Sequence, residues 1–352
     1  MNDVVSEIAE TLRQAVASRT PVCIRGGGTK DFYGNAPRGE VLDTRACTGI
    51  VSYEPSELVI VARAGTPLTD VETALRKQGQ MLAFEPPHFG AGATLGGCVA
   101  AGLSGPRRPY AGAVRDFVLG VRMVDGRGES LRFGGEVMKN VAGYDISRLM
   151  AGALGTLGVL TEVSLKVAPM PKTMRTLVFE TTADEALRLM NEWAGRPLPL
   201  SAAAFHDGRL HLRLSGSEGG VRAAREQLGG EELPAGAEYW QALREHRLPF
   251  FGDGRPLWRL SLPPAAAPVN LPGDTLLDWG GAQRWLKTDA DGAAVREAAS
   301  RLGGHAARFR GGDRAAGVFA PLPTPLLRLH RNLKQTFDPA GIFNPGRLYP
   351  DF

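Results

Sequence analysis

The chain has little cysteine: three in 352 residues, Cys23, Cys47 and Cys98, with no metal-ligand spacing among them. A zinc or iron–sulfur centre held by this chain's own cysteines is therefore excluded, and a reducing compartment is expected. No apolar run is long enough to span a bilayer, and the first residues carry acids and an amphipathic pattern instead of a basic flank before an apolar block. Neither a transmembrane helix nor a secretory signal is expected. A large excess of one charge is missing too, with 41 Lys and Arg against 37 Asp and Glu, a net +4. The arginines are dispersed among acids, without a basic and aromatic stripe. That disfavours a nucleic-acid surface and fits an anionic ligand or an acidic partner. Also absent is a G-x-G-x-x-G run leaving an early strand with an acid about twenty residues later, so a nicotinamide dehydrogenase of the doubly wound type is not expected.

What the chain has in quantity is glycine, 45 residues of it. Residues 90–112, GAGATLGGCVAAGLSGPRRPYAG, hold seven glycines and almost nothing large. Glycine at that density means that backbone passes close to something a side chain would block. Upstream, Val5, Ile8, Leu12, Ala15 and Val16 recur at helical spacing, Pro21 ends that helix, and Val22-Cys23-Ile24 runs straight into Arg25-Gly26-Gly27-Gly28-Thr29. Consecutive glycines after a strand present several N–H groups to one side as an anion nest, or else form a plain flexible turn. A strand over 58–64 leads to Thr66-Pro67, which has the form of a helix cap followed by a first-turn proline, and then to a helix burying Val71, Ala74 and Leu75. Residues 118–133 form a hairpin about Asp125-Gly126. Asp145 caps a short helix, residues 152–158 are a third glycine-dense loop, and 159–167 a strand.

Pro169 and Pro171 mark a boundary. After it, strands at 176–180, 202–215 (a hairpin), 257–262 and 276–279 interleave with helices at 183–194, 221–228 and 293–302. That order fits a sheet with helices on one face. Residues 263–274 are a proline-rich loop, a helix spans 326–337, and no internal repeat is visible.

Three separate glycine loops suit an extended, diphosphate-linked dinucleotide better than a single phosphate. The set RGGGT (25–29), GATLGG (92–97), Ser104-Gly105 with residues 110–116, KNVAGYD (139–145) and GTLGV (155–159) resembles, in order, the FAD-binding domain of the vanillyl-alcohol-oxidase/p-cresol-methylhydroxylase superfamily. The closing Phe343-Asn344-Pro345-Gly346 is similar to the flavin-dependent D-2-hydroxy-acid dehydrogenase branch. With DWGGAQRW at 278–285, the whole chain resembles the FAD-binding subunits of bacterial glycolate oxidases. The resemblance implies an α+β fold. A two-part p-cresol-methylhydroxylase (PCMH)-type FAD-binding domain over 1–171 would precede a smaller, ferredoxin-like α+β cap over 172–322. A tail over 323–352 would return to the first domain.

The same resemblance implies a cofactor set. Arg25, Gly26, Gly27, Gly28 and Thr29 would wrap the FAD pyrophosphate, with Thr94, Gly96 and Gly97 completing the cradle beside Gly92 and Ala93. Ser104, Gly105 and Gly112 would pass beside the isoalloxazine and Gly158 and Val159 along the adenosine half, with Pro86 and Asn344 added to the site. Where some relatives carry a flavin-linking histidine this chain has Thr29, so the FAD is expected to be non-covalent. The implied activity is oxidation of glycolate, and of D-lactate, to the 2-oxo acid, with electrons leaving through FAD. The implied partners are a homologous FAD-containing catalytic subunit and an iron–sulfur subunit. The implied location is the cytoplasm, at the inner face of the cell membrane through the complex. A self-sufficient 2-hydroxy-acid dehydrogenase and a non-catalytic scaffold subunit remain alternatives, and no catalytic residue is assigned.

Tyr110 and Lys139 are candidates to touch flavin or substrate, although packing and surface charge explain them as well. Arg107-Arg108 would attract an anionic acid or simply face solvent. His88 is a candidate base, and Cys98 is read as a small buried residue. His206 and His211 stand where the catalytic branch has metal-binding histidines, but the accompanying glycine-aspartate-glycine-asparagine run is missing. Five positions apart, they are expected on opposite strand faces, and no metal site is expected.

Overall fold

The computed structural model describes residues 3–135, 145–315, 317–350 and 352. The expected KNVAGY stretch, including Lys139, lies outside them. The chain forms two units, Met1–Leu103 with Ala113–Pro169 and Pro321–Phe352, and Ser104–Gly112 with Met170–Ala320. Ser104–Gly112 thus groups with the second unit, and not with the first as the motif order suggested.

In the first unit the helix Asp3–Ser18 places Ile8 and Leu12, one turn apart, in a core with Val22, Val124, Val159, Ile342 and Phe343. Val22–Arg25 pairs in parallel with Glu40–Asp43. An antiparallel sheet runs in the order Ile50–Glu54, Val59–Arg63, Val159–Lys166, Val118–Val124, Ser130–Gly134. Its middle strand buries Val159, Leu160, Thr161, Val163, Ser164 and Leu165 and leaves only Glu162 and Lys166 partly exposed, the pattern of a strand covered on both faces. The helix Leu68–Lys77 buries Leu68, Val71 and Leu75. Thr66 does not cap it: the Thr66 hydroxyl bonds the Gly49 backbone, and the residue preceding the helix is Pro67. Thr94 does cap the helix Leu95–Ala101, its Oγ1 accepting the Gly97 N–H at 3.3 Å. Asp145 caps Ile146–Leu149 in the same manner.

The tail returns to this unit. Val22 N–H donates to Ile342 carbonyl at 2.8 Å and Asn344 N–H to Val22 carbonyl at 2.9 Å, so residues 342–344 run parallel to the first strand. The helix Thr324–Phe337 leads into this crossing.

The second unit is one antiparallel sheet of eight strands. Its first half, Thr173–Glu180, Leu200–His206, Arg209–Gly216 and Glu231–Glu232 with helices Ala183–Ala194 and Glu218–Leu228, follows the order β-α-β-β-α-β. In space its strands lie fourth, first, third, second. The second half, Leu257–Ser261, Asp274–Asp278, Gln283–Lys287 and His305–Arg310 with helix Gly292–Arg301, has the same spatial order read from the other edge. The halves join through Phe205 and Leu277. The expected single ferredoxin-like cap is therefore two ferredoxin-like halves, the second without its first helix. Residues 262–273 take that helix's place, and prolines at 263, 264, 268 and 272 deny them an α-helix.

The helices are not all on one face, as the sequence suggested. Leu177 joins the core under Ala183–Ala194, whereas its neighbour Thr176 points the other way and accepts the Trp240 Nε1–H bond at 2.9 Å. Helix Gly236–Arg244 therefore covers the opposite face.

Candidate functional site

In the first unit the strand Val22–Arg25 ends in three glycines that approach the 92–97 loop backbone to backbone. A Cβ on Gly27 would lie 1.4 Å from the Gly92 carbonyl oxygen, and one on Gly26 would lie 2.4 Å from Thr94 Oγ1. Glycine at 26 and 27 is thus demanded first by the neighbouring loop. A cleft of about 870 Å³, open on one side, lies beside this junction. One wall is Arg25 to Asp31; the floor is Thr94, Gly96, Gly97, Ala100 and Ala101; the other wall is Ala153 to Gly155 with Leu157 and Gly158; Asn344 and Arg347 close an end.

Along the first wall the N–H groups of Gly26, Gly27, Gly28 and Thr29 meet no protein acceptor among the described residues. Four adjacent donors without an internal partner, at the rim of an open cleft, are arranged for an anion. The charges agree: Arg25, Lys30 and Arg347 border the cleft against one acid, Asp31, which is bound to Arg25 at 2.7 Å. Across from them, Gly96 has no room for a side chain, since its Cβ would meet Ala64 Cβ at 2.7 Å. The small lining lets a large flat body enter, and the donor row suits a diphosphate. The residues present fit a bound dinucleotide.

Asn344 joins the two walls. Its Oδ1 accepts the Ile24 N–H at 2.8 Å, and its Nδ2 donates to the Leu154 carbonyl at 2.6 Å. Arg347 holds the outer loop by donating to the carbonyls of Lys30, Asp31 and Asn35.

Of the expected cofactor residues, the cleft brings together Arg25, Gly26, Gly27, Gly28, Thr29, Thr94, Gly96, Gly97, Gly158 and Asn344. Pro86, Gly92, Ala93 and Val159 do not line it. Val159 turns into the core beside Leu12, and the Ala93 carbonyl accepts the Leu68 N–H. Ser104, Gly105 and Gly112 belong to the second unit. Sequence reasoning missed the small lining at Ala100, Ala101 and Ala153, which the density of small residues in both loops signalled, and Arg347, which nothing local marked.

The remaining candidates are engaged elsewhere. His88 Nε2 faces Glu72 at 3.2 Å and does not line the cleft. Burial pushes the Cys98 thiol up to about 12, which makes it inert. In the second unit Arg107 is buried and donates to Ser215 Oγ, while the Arg108 guanidinium stacks on the Trp279 ring at 4.3 Å. Trp279 Nε1 donates to the Gly105 carbonyl at 3.0 Å, and Asp278 accepts both the Trp279 N–H and Gln283 Nε2. Tyr110 packs close by, its phenol pushed up to about 12 by burial. The DWGGAQRW segment thus anchors residues 104–112.

His206 and His211 share one sheet face, contrary to the parity expectation. Within the hairpin His206 pairs with Arg209 and Ala204 with His211, so the chain reversal restores both rings to one side. Each is covered by its own aromatic ring: His211 stacks on Tyr239 at 3.9 Å and His206 meets Phe250 edge-on at 5.1 Å. Burial lowers the His211 pKa to about 4. Among the described residues no group of three or more His, Cys, Asp or Glu side chains is placed to hold a metal ion.

Residues 3–134 match the family model described as FAD binding domain. The chain is 53% identical over 349 residues, 99% of its length and 98% of the relative's, to glycolate oxidase subunit GlcE of Escherichia coli (strain K12). It is 33% identical over 174 residues, 49% of this chain and 37% of the relative, to glycolate oxidase subunit GlcD of Bacillus subtilis (strain 168). A D-lactate dehydrogenase of Archaeoglobus fulgidus is 33% identical over 199 residues, 55% of this chain and 44% of that one. Among solved structures, alkyldihydroxyacetonephosphate synthase superposes with a TM-score of 0.67 at 17% identity, covering 96% of this chain and 74% of the other. That last likeness is one of fold.

Proposed function

The chain belongs to the GlcE-type glycolate oxidase subunits and carries an FAD-binding domain, and from that membership we propose that it is the FAD-binding subunit of a complex oxidising glycolate, and D-lactate, to the 2-oxo acid. The observation that carries this reading is the row of four unpaired N–H groups, Gly26 to Thr29, beside a cleft floored by glycine and alanine. Those N–H groups hold the pyrophosphate of FAD, Gly96 and Gly97 let it approach, and Gly155 to Gly158 lie along the adenosine half. Arg25 and Arg347 add positive potential, and Asn344 keeps the walls at a fixed separation. FAD supplies acceptance of an electron pair as hydride and its release one electron at a time. Thr29 offers no ring nitrogen for a flavin bond, so the cofactor is held without a covalent link.

The partners of this reading are a homologous FAD subunit of the GlcD kind and an iron–sulfur subunit, at the cytoplasmic face of the membrane. No helix among the described residues is long and apolar enough to cross a membrane. The ring cover over His206 and His211 favours oxidation of the hydroxy acid on the homologous subunit, with this chain's flavin as an electron relay.

The purified chain is expected to be yellow, with one FAD that passes wholly into the supernatant on acid precipitation. Glycolate under anaerobic conditions should leave that colour intact in the isolated chain and bleach it in the assembled complex. A colourless chain that takes up no added FAD removes the proposal. Bleaching without partners removes the relay role and leaves a self-sufficient dehydrogenase.

A further inference from the structure

We propose that the buried pair Lys334–Asp338 is a positioning latch for the cleft, fixing the distance between its two walls and so setting how tightly FAD is retained. The proposal rests on the FAD reading above. Neither residue lines the cleft.

Lys334 sits near the end of the last helix with its side chain only 7% exposed. Its ammonium has three donors and meets three acceptors: Asp338 Oδ2 at 2.7 Å, the Phe343 carbonyl at 2.7 Å and the Thr156 carbonyl at 2.9 Å. Asp338 in turn accepts the Ile342 N–H at 3.2 Å and the Phe343 N–H at 2.7 Å. One end of this network is Thr156, in the middle of the 153–158 wall. The other end is Phe343, immediately before Asn344, whose side chain and backbone grip Ile24, Val22 and Leu154. The strand that ends in RGGGT and the opposite loop are therefore joined by the tail, and the tail is set by one ammonium.

A buried ion pair gives weak stability on its own, because apolar side chains of similar size often do as well. Apolar side chains cannot hold two carbonyls from separate segments at a fixed distance. Burial disfavours the charged ammonium and lowers its pKa, and Asp338 at 2.7 Å offsets part of that cost. Gly126 leaves the room it needs: a Cβ there would lie 2.7 Å from Asp338 Cα.

The test is the double variant Lys334→Met/Asp338→Leu, which removes both charges while keeping bulk. It should remain folded and bind FAD about tenfold or more weakly. Without FAD, its Ile24 and Asn344 amides should exchange hydrogen faster, with the amides of the five-stranded sheet unchanged. Wild-type affinity together with unchanged exchange at those two amides overturns the latch. Should the double variant not fold, the wild type decides. Adding FAD should slow exchange at Ile342 and Phe343, which bond Asp338 and lie outside the lining, and no slowing there overturns the proposal. A wild type that binds no FAD sinks the functional reading, and the exchange rates of the double variant then judge the latch alone.

Discussion

The two units treat buried polar groups in opposite ways. The first leaves a row of backbone donors at Gly26 to Thr29 without partners among the described residues, around an open cleft, and ties its buried Lys334, Asp338 and Asn344 into hydrogen bonds that keep that cleft in shape. The second gives the wholly buried Arg284 backbone carbonyls at Ala266, Ala267 and Gly281, and closes its second sheet face with rings. Its Tyr239 hydroxyl and His211 Nδ1 are buried without a hydrogen bond among the described residues. One unit is built to receive a polar ligand and the other to exclude water. Unsatisfied groups therefore mean different things in each: unused backbone donors at a cleft invite an anion, while unused ring atoms under stacked aromatics are a cost of burial.

The contrast is measurable because Trp193, Trp240, Trp258, Trp279 and Trp285, the five tryptophans of the chain, all lie in the second unit. Tryptophan fluorescence reports that unit and bound FAD reports the other. The largest effect should come from Gly27→Val, whose Cβ would fall 1.4 Å from the Gly92 oxygen. Overpacking backbone against backbone should cost about 3 kcal/mol or more and abolish FAD binding, with the tryptophan spectrum kept. A spectrum that collapses along with FAD binding would break the division.

Acid should act chiefly on the second unit, since in the first unit burial lowers the pKa of one described histidine, His330. Burial lowers the pKa of His206, His211, His246 and His305 there. A histidine whose folded pKa lies below its unfolded value binds fewer protons when folded, so its stabilising share is present above about pH 6.5 and is lost as pH falls. For His211, lowered to about 4, the loss reaches up to about 3 kcal/mol by pH 4. Tryptophan-monitored denaturation should show the decline between pH 6.5 and 4, and His211→Phe should flatten it. A midpoint indifferent to pH across that range would count against burial as the cause. The smallest effect is expected for Tyr239→Phe. Deleting a buried hydroxyl that makes no bond among the described residues should leave stability unchanged or raise it by up to about 1 kcal/mol, and a loss beyond about 1 kcal/mol would reveal a bonded hydroxyl.

The sequence carried the first unit's cleft further than the second unit's sheet. RGGGT and GATLGG were legible because glycine is demanded locally, although the demand at Gly27 comes from Gly92 as much as from any ligand. Thr66 and Thr94 share the look of a helix cap, and only Thr94 is one, because the Gly49 backbone claims the Thr66 hydroxyl from across the fold. Nothing in the sequence singles out Lys334 and Asp338, because an acid four residues after a lysine is common on helix surfaces and burial is a property of what packs around them. The parity of His206 and His211 misled because counting along one strand ignores the turn between them. The doubling of the second unit was hidden because one copy has a proline-rich loop where the other has a helix.

The crossing of residues 342–344 beside Val22 also has a consequence in time. The first strand and its parallel partner Glu40–Asp43 leave the ribosome early, but its second parallel neighbour, residues 342–344, is made only after the whole of Met170–Ala320. At the usual pace of synthesis that interval is roughly 15 to 65 s. For that period the RGGGT loop exists without the strand and the asparagine that set it. The cleft is completed last, after the second unit has had every residue it needs.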